Sequence, residues 1–568
     1  MTTSHTRRRK PAIHTGVPLS STTPSGPGGP EFLEPTGGSP VGSSSRSGDN
    51  RKRLLVLGGV VGLVAVGGAA AWAITSFVGT GAQPAEALPA GTLAYASVDL
   101  DPSGSQKIEA IRTLRKFPAF KDKINLDTDD DLRERFFEEM TSSGECEGLD
   151  YAEDVEPWLG NRLAVAGVDT GAEQPSPVVV VQISDAGAAE DGFRAIEEAC
   201  GNTDEPAGIA VEGDWAIVAE TQEQADKVVE LAGEGTLADD DDFTRWTGET
   251  GDAGILTMYA SPEIGPELLS LLEDTGVSPF GGSELGGIDP ETGEFEDVEP
   301  SASPSVPPEV QKSLEDFGGA AATLRFSDGS LELEFAADSG EQAEIFADVD
   351  SGGEIVGSLP EGTIAAIGFG VPDGWVDMMA EQMASSLGQT KDELYAEASA
   401  QTGLDLPDDL EALVGDGLAV SLGEGIDPDA VMNGGPAELP IAIKIDGDEA
   451  EVEAVLEKLR PQLGEEADLL ETATGDDYVV LGPNADYREK VAQEDGLEGS
   501  EAYQQVVEGA DGAAAVMFVD FDADDNWLAR VAQDDAELAD NLEPLSALGI
   551  TGWYEDRVSH GFVRLTTD

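Results

Sequence analysis

Twenty-six uncharged, mostly apolar residues, Leu54 to Gly79, follow directly on the basic triplet Arg51, Lys52 and Arg53. At about 1.5 Å per helical residue the run reaches about 39 Å, more than a hydrocarbon core of about 30 Å, which predicts one tilted transmembrane helix. The basic flank precedes the run and no charge follows it until Glu86. By the positive-inside rule, residues 1–53 are then cytoplasmic and the chain beyond the helix lies outside the membrane. Ala85-Glu86-Ala87 has the small-x-small pattern of a signal-peptidase site. A signal peptide, however, has an apolar region of about 7–15 residues behind a short basic one, so the long run favours an uncleaved anchor. Gly58 and Gly62 form one GxxxG pair, a route to self-association through the helix, although glycine is common in spanning helices in any case.

Charge divides the chain at the same place. Residues 1–53 carry a net +5 and the rest of the chain −88. An exterior this acidic excludes nucleic acid as a partner, because a phosphate backbone needs a basic footprint. It also implies non-specific association of divalent cations on runs such as Asp239–Asp242, with no cofactor indicated. The tail, 1–53, is dominated by Ser, Thr, Pro and Gly without periodicity and reads as disordered. Beyond the anchor, apolar residues arrive in periodic segments, so a packed core is expected there.

That exterior part is a tandem repeat. LPAGTLAYASV (Leu88–Val98) returns as LPEGTIAAIGF (Leu359–Phe369), and LDYAEDVEPWLGNRLAVAGV (Leu149–Val168) as LDLPDDLEALVGDGLAVSLG (Leu404–Gly423). In the same order follow Val178–Asp185 with Leu439–Asp446, Gly213–Val229 with Asp476–Ala492, and Phe317–Ala336 with Leu548–Leu565. The expected organisation is a short linker at 80–87, copy one at 88–338 and copy two at 355–568. Residues 276–308, rich in Gly, Pro, Ser and acid, interrupt copy one as a mobile loop. The middle of each copy reads strand, helix, strand, strand, helix, strand, which gives an α+β class with mainly antiparallel sheet and a ferredoxin-like βαββαβ core.

The strand-opening LPAGTLAYASVDLD soon after a single anchor, the helix carrying FPAF, the LDYAEDVEPWLGNRLAVA block and the trailing repeat resemble the actinobacterial membrane-anchored proteins grouped as the family with domain of unknown function 3352. The resemblance implies a bacterial cell-surface protein and supplies no catalytic residues.

Candidate chemistry is sparse. Outside the tail the one histidine is His560, which reads as an exposed residue of the last strand pair, and no GxSxG, HExxH, P-loop or CxxC occurs. Asp99, Asp101 and Ser103 follow the first half of a calcium loop with Gly104 at position six. The twelfth position is Ala110, and the competing reading is a strand ending in acids that cap a helix starting near Ser105. Asp520, Asp522 and Asp524 repeat the spacing without the glycine. Cys146 and Cys200, the only cysteines, read either as an exterior disulfide or as two buried thiols.

Trp375, Met378, Met379 and Met383, with Leu387, mark an apolar stripe with steps of four residues. Such a stripe is ordinarily core; the alternative is an adaptable binding surface, exposed by copy two alone and covered by copy one or by a lipid-like ligand. The function expected is that of a single-pass envelope protein whose acidic, duplicated exterior is a non-enzymatic binding module for an envelope ligand. A carboxylate-dependent wall hydrolase is the alternative.

Overall fold

The computed structural model of the chain describes residues 82–568 apart from 100–104, 124–132, 135–136, 138–147, 173, 201–205, 276–307, 341–344, 347–348, 427–435, 476–477, 494 and 533–534. The tail, the 54–79 run with Gly58 and Gly62, and the expected loop up to its last residue, Pro308, lie outside the described residues. Among the described residues no helix is long and apolar enough to cross a membrane.

Copy one runs β1 (Thr92–Asp99), α1 (Ser105–Leu114), α2 (Pro118–Lys123), β2 (Leu159–Val168), β3 (Ser176–Ile183), α3 (Ala186–Cys200), β4 (Gly208–Glu212), β5 (Trp215–Ala219), α4 (Gln222–Ala232), α5 (Asp241–Gly248), β6 (Leu256–Ala260), α6 (Ile264–Thr275), α7 (Pro308–Glu315), β7 (Ala320–Ser327) and β8 (Ser330–Asp338). Copy two runs α8 (Ser351–Gly357), β9 (Thr363–Gly370), α9 (Trp375–Ser386), α10 (Lys391–Thr402), α11 (Asp408–Val414), β10 (Gly417–Gly423), β11 (Ile441–Asp446), α12 (Glu449–Leu463), β12 (Thr472–Thr474), β13 (Tyr478–Leu481), α13 (Ala485–Gln493), α14 (Glu501–Val506), β14 (Ala515–Asp520), α15 (Ala523–Val531), α16 (Ala536–Leu542), β15 (Leu545–Glu555) and β16 (Val558–Thr567).

The sixteen strands of the described residues belong to one sheet, in the order β12-β13-β11-β10-β9-β14-β15-β16-β8-β7-β6-β1-β2-β3-β5-β4. Read outward from the middle, both halves have the same order. The last hairpins close at Ser327/Ser330 and at Glu555/Val558, so equivalent residues there differ by 228. In the antiparallel β8–β16 seam, Glu334 faces its own counterpart, Phe562. A local twofold axis therefore passes through that pair, and one ladder of backbone hydrogen bonds fuses the copies into one sheet.

The duplication extends to single hydrogen bonds. The nitrogen of Leu237 donates to the carbonyl of Leu88 at 2.8 Å, and that of Leu497 to Leu359 at 2.8 Å. These four leucines are fully buried, and each pair ties the entry of a copy's first strand to the turn before a short helix. The segment expected to be a linker is part of this core: Pro84–Ala87 forms a helical turn with Ala85 and Ala87 buried. Its place before β1 corresponds to that of α8 before β9, whose Ile355 and Val356 are buried in copy two.

The ferredoxin-like expectation holds for half of the motif. β3, α3 and β4 form a split β-α-β with β5 between the two strands. The fourth strand, β6, pairs with β1 instead of β3, because β1 and β2 occupy the intervening places. The same displacement separates β14 from β11.

Strand alternation gives the sheet two apolar faces. One carries the main cores, around Tyr95, Val180 and Trp246 in copy one and around Val356, Phe518 and Val506 in copy two. On the other, cross-strand partners line up as Val179, Val165, Ala96, Met258, Ala322 and Phe335 in copy one, and as Ile443, Val420, Ile367, Met517, Ile550 and Val563 in copy two. Copy one covers much of its second face: α6 brings Ile264 and Leu268 onto Ala94, Val165 and Ala260, and α1 and α2 bring Ala110, Leu114 and Phe120 onto Leu256, Leu324 and Phe326. Copy two leaves Ile367 49% and Ile443 39% exposed where copy one buries Ala96 and half-buries Val179, while Val420, Met517, Ile550 and Val563 are half-buried and Phe335 of copy one is 40% exposed.

Candidate functional site

The site begins where β9 ends. Gly374, at φ +76°, turns the chain into α9, and Gly415, at φ +57°, sits where a Cβ would meet the Asp446 carbonyl 1.9 Å away. These glycines let three strand ends approach one another, held by Val371 N to Asp416 O (2.9 Å) and Asp416 N to Asp446 O (2.8 Å). A cleft of about 700 Å³ opens over them. Trp375 and Val376 form one wall, Asp408, Glu411, Ala412 and Val414 of α11 another, and Asp446, Asp448, Glu451 and Val455 a third. No lysine or arginine is among its described lining residues.

Some of those acids already have structural tasks. The Asp448 carboxylate caps α12, accepting from Ala450 N (2.9 Å) and Glu451 N (3.1 Å). Asp409 is buried, which opposes its ionisation, yet the Lys458 ammonium at 2.6 Å and the Asp405 N–H hold its carboxyl below the usual range. Glu411, Asp416 and Glu451 are exposed and give the cleft a negative mouth.

Helix α9 leads away from the cleft with two apolar lines one position apart. Val376, Ala380 and Ala384 are buried. The helix packs on α10, where the Tyr395 hydroxyl donates to the Asp377 carboxylate at 2.9 Å and Lys391 bridges Asp377 and Glu381, both at 3.1 Å. The outward line starts at Trp375, half-buried in the cleft wall, and continues through Met379, Met383 and Leu387, which are 38%, 54% and 59% exposed. Met378 is half-buried.

The core reading of the methionine stripe is thereby corrected. The small residues pack because they admit a close neighbouring helix, and the larger side chains are left outside. Copy one does not cover them either: they are exposed with both copies in place.

Residues 55–232 match the family model described as Protein of unknown function (DUF3352). The match covers that segment alone. The matched stretch runs from the apolar run to the end of α4, leaving the rest of copy one and all of copy two outside it. No curated protein and no solved structure matches the chain. The cleft and the α9 stripe therefore belong to the part beyond the DUF3352 match.

Within that match, Asp99 is buried and its carboxylate pairs with the buried Arg162 at 3.3 Å, so the first ligand expected of a calcium loop is spent on an ion pair. Asp101 and Ser103 lie outside the described residues, and α1 starts at Ser105 as the capping alternative expects. In copy two, Asp520 Oδ1 accepts from the nitrogens of Asp522 (3.0 Å) and Ala523 (3.1 Å), Asp522 from the Ser546 hydroxyl (2.7 Å), and Asp524 from Gly425 N (2.8 Å). Burial raises the carboxyls of Asp520 and Asp522. Among the described residues no three side chains of metal-ligating type are placed to hold an ion.

Cys200, at the end of α3, is disulfide-bonded, and Cys146 lies outside the described residues. His560 is buried, not exposed: it faces Trp553 across the β15–β16 hairpin, rings stacked 5.0 Å apart at 5°. Its copy-one counterpart is Glu332, and Trp553 corresponds to Arg325. In copy one that cross-strand pair is an ion pair at 2.8 Å, and Glu332 also takes Arg564 from across the seam at 2.7 Å.

Lys444 escaped the sequence reading. It occupies the core place that Val180 fills in copy one, since Ala419 pairs with Lys444 as Ala164 pairs with Val180. Only 4% exposed, its ammonium donates to the Ser358 carbonyl (2.8 Å) and hydroxyl (2.9 Å) and lies 4.2 Å from the Tyr478 ring centre. Burial pushes its pKa down to about 8 against the pull of Asp495 and Asp446.

Proposed function

We propose that the protein is a single-pass cell-envelope protein, anchored by residues 54–79 with residues 1–53 in the cytoplasm, whose duplicated acidic exterior is a non-enzymatic binding module. Copy two is the binding half. The observation that carries this reading is the outward Trp375–Met379–Met383–Leu387 line beginning in the wall of an acid-lined cleft. Large apolar side chains kept in water on one helix face mark an interaction surface, and methionine adapts its shape to different partners.

Topology and site are tested separately. Protease added to intact, wall-stripped cells digests an epitope placed after residue 86 and spares one at residue 20; a protected C-terminus contradicts the anchor. Non-reducing peptide mapping joins the segments holding Cys146 and Cys200, and two freely alkylated thiols contradict that pairing. Purified peptidoglycan is left intact, whereas turnover abolished by a single carboxylate substitution favours the hydrolase instead.

A further inference from the structure

Resting on that reading, we infer that the partner of copy two is a basic, amphipathic helical segment of another protein, laid along α9 with one cationic end in the cleft. The outward line steps by four residues from position 375 to position 387, about 18 Å at 1.5 Å per residue, and so matches the apolar face of a helix of about three turns. Met379, Met383 and Leu387 offer exposed apolar surface along that length.

Charge selects the partner. The line enters the cleft at Trp375, where Glu411, Asp416 and Glu451 are exposed and no described lining residue is basic. An arginine or lysine can lay its methylene stem on Ala412, Val414 and Val455 and bring its head to these carboxylates, while Trp375 presents a ring for a cation. Anionic lipid and acidic peptides meet repulsion from a chain of net charge −83.

The test titrates the full-length protein, in nanodiscs of zwitterionic lipid with empty discs subtracted, against three fluorescent 14-residue peptides. One is an amphipathic Leu/Lys helix, one its scrambled isomer, and one an amphipathic Leu/Gln helix. The Leu/Lys helix is expected to bind at least tenfold tighter than either of the others at 0.15 M salt. Met379→Ser/Met383→Ser weakens it at least tenfold. Glu411→Gln/Asp416→Asn/Glu451→Gln weakens it three- to tenfold and flattens its salt dependence. Removing as many carboxylates from copy one, Glu223→Gln/Asp226→Asn/Glu230→Gln, leaves it unchanged.

Equal loss in the copy-one variant, or equal binding of the scrambled peptide, reduces the effect to bulk charge and overturns the proposal. Equal binding of the Leu/Gln and Leu/Lys helices, lost in the methionine variant, overturns the basic partner but keeps the apolar binding module. No binding of any peptide overturns the inferred partner, and native far-UV circular dichroism of the variants excludes misfolding as the cause.

Discussion

The two copies share strand order, seam geometry and even the Leu237–Leu88 and Leu497–Leu359 hydrogen bonds, yet they finish the second face of the sheet differently. Copy one closes it with α1, α2 and α6, filling the space with Leu114, Phe120 and Ile264. In copy two the helix after the first strand packs on another helix, and its larger side chains are exposed, as are Ile367 and Ile443 on the sheet. A duplicated scaffold thus covers more of this face in one half, where Phe335 stays 40% exposed, and leaves more apolar surface in the other. The cost of that exposure is the physical reason to assign binding to copy two.

The comparison breaks most severely at the seam. Glu332 is 3% exposed and holds both Arg325 and Arg564. Glu332→Ala removes the carboxylate the two guanidinium groups share, leaving Arg325 with Glu334 and Arg564 with Glu508, and a loss of about 3 kcal/mol is expected by chemical denaturation. Its counterpart change, His560→Ala, removes only a stacked ring and is expected to cost about 1–2 kcal/mol. Equal costs would show that the seam does not depend on its ion pairs.

Next in size is the covered face of copy one. Leu114→Ala opens a cavity against Leu256 and Phe326, and about 2–4 kcal/mol should be lost. Met379→Ser/Met383→Ser, on the corresponding helix of copy two, should change stability by no more than about 0.5 kcal/mol.

Lys444 sharpens the contrast in the other direction. Its folded pKa of about 8 lies below the ordinary 10.5, so between those values the unfolded chain binds more protons and wild-type stability rises with pH. Lys444→Val installs the copy-one residue. It is expected to stabilise the protein by about 1–3 kcal/mol at pH 7, with the gain shrinking through pH 8–10.5. A variant less stable than wild type at pH 7 would show that the Ser358 hydrogen bonds outweigh the desolvation of the amine.

How much of this was legible follows from locality. The strands Ser176–Ile183 and Tyr478–Leu481, the helix Glu449–Leu463 and the duplication itself are local patterns, and each reads, to within about a turn at its ends, from apolar period and turn residues. The insertion of β1 and β2 between β3 and β6 is not local. Those strands carry the same alternation as their neighbours, so nothing in the pattern fixes which strand pairs with which. The cleft was hidden by abundance: Asp408 and Glu411 of α11, Asp416 before β10 and Glu451 of α12 are four of 114 acids, and only the strand ends bring the three segments together. The methionine stripe was visible but its direction was not, because Val376, Ala380 and Ala384 run beside it at the same spacing and are smaller. Lys444 did carry a signal, a charge at the core position of a strand whose duplicate has valine there.

The central claim is that copy two holds its methionine face open in the intact molecule, and oxidation reads this directly. Full-length protein in zwitterionic nanodiscs is exposed to hydrogen peroxide, and sulfoxide at each methionine is followed over time by peptide mass spectrometry. Met379 and Met383 are expected to oxidise several times faster than Met258, which is half-buried on the second face of copy one. Equal rates at the three positions, or Met258 reacting first, would contradict the account.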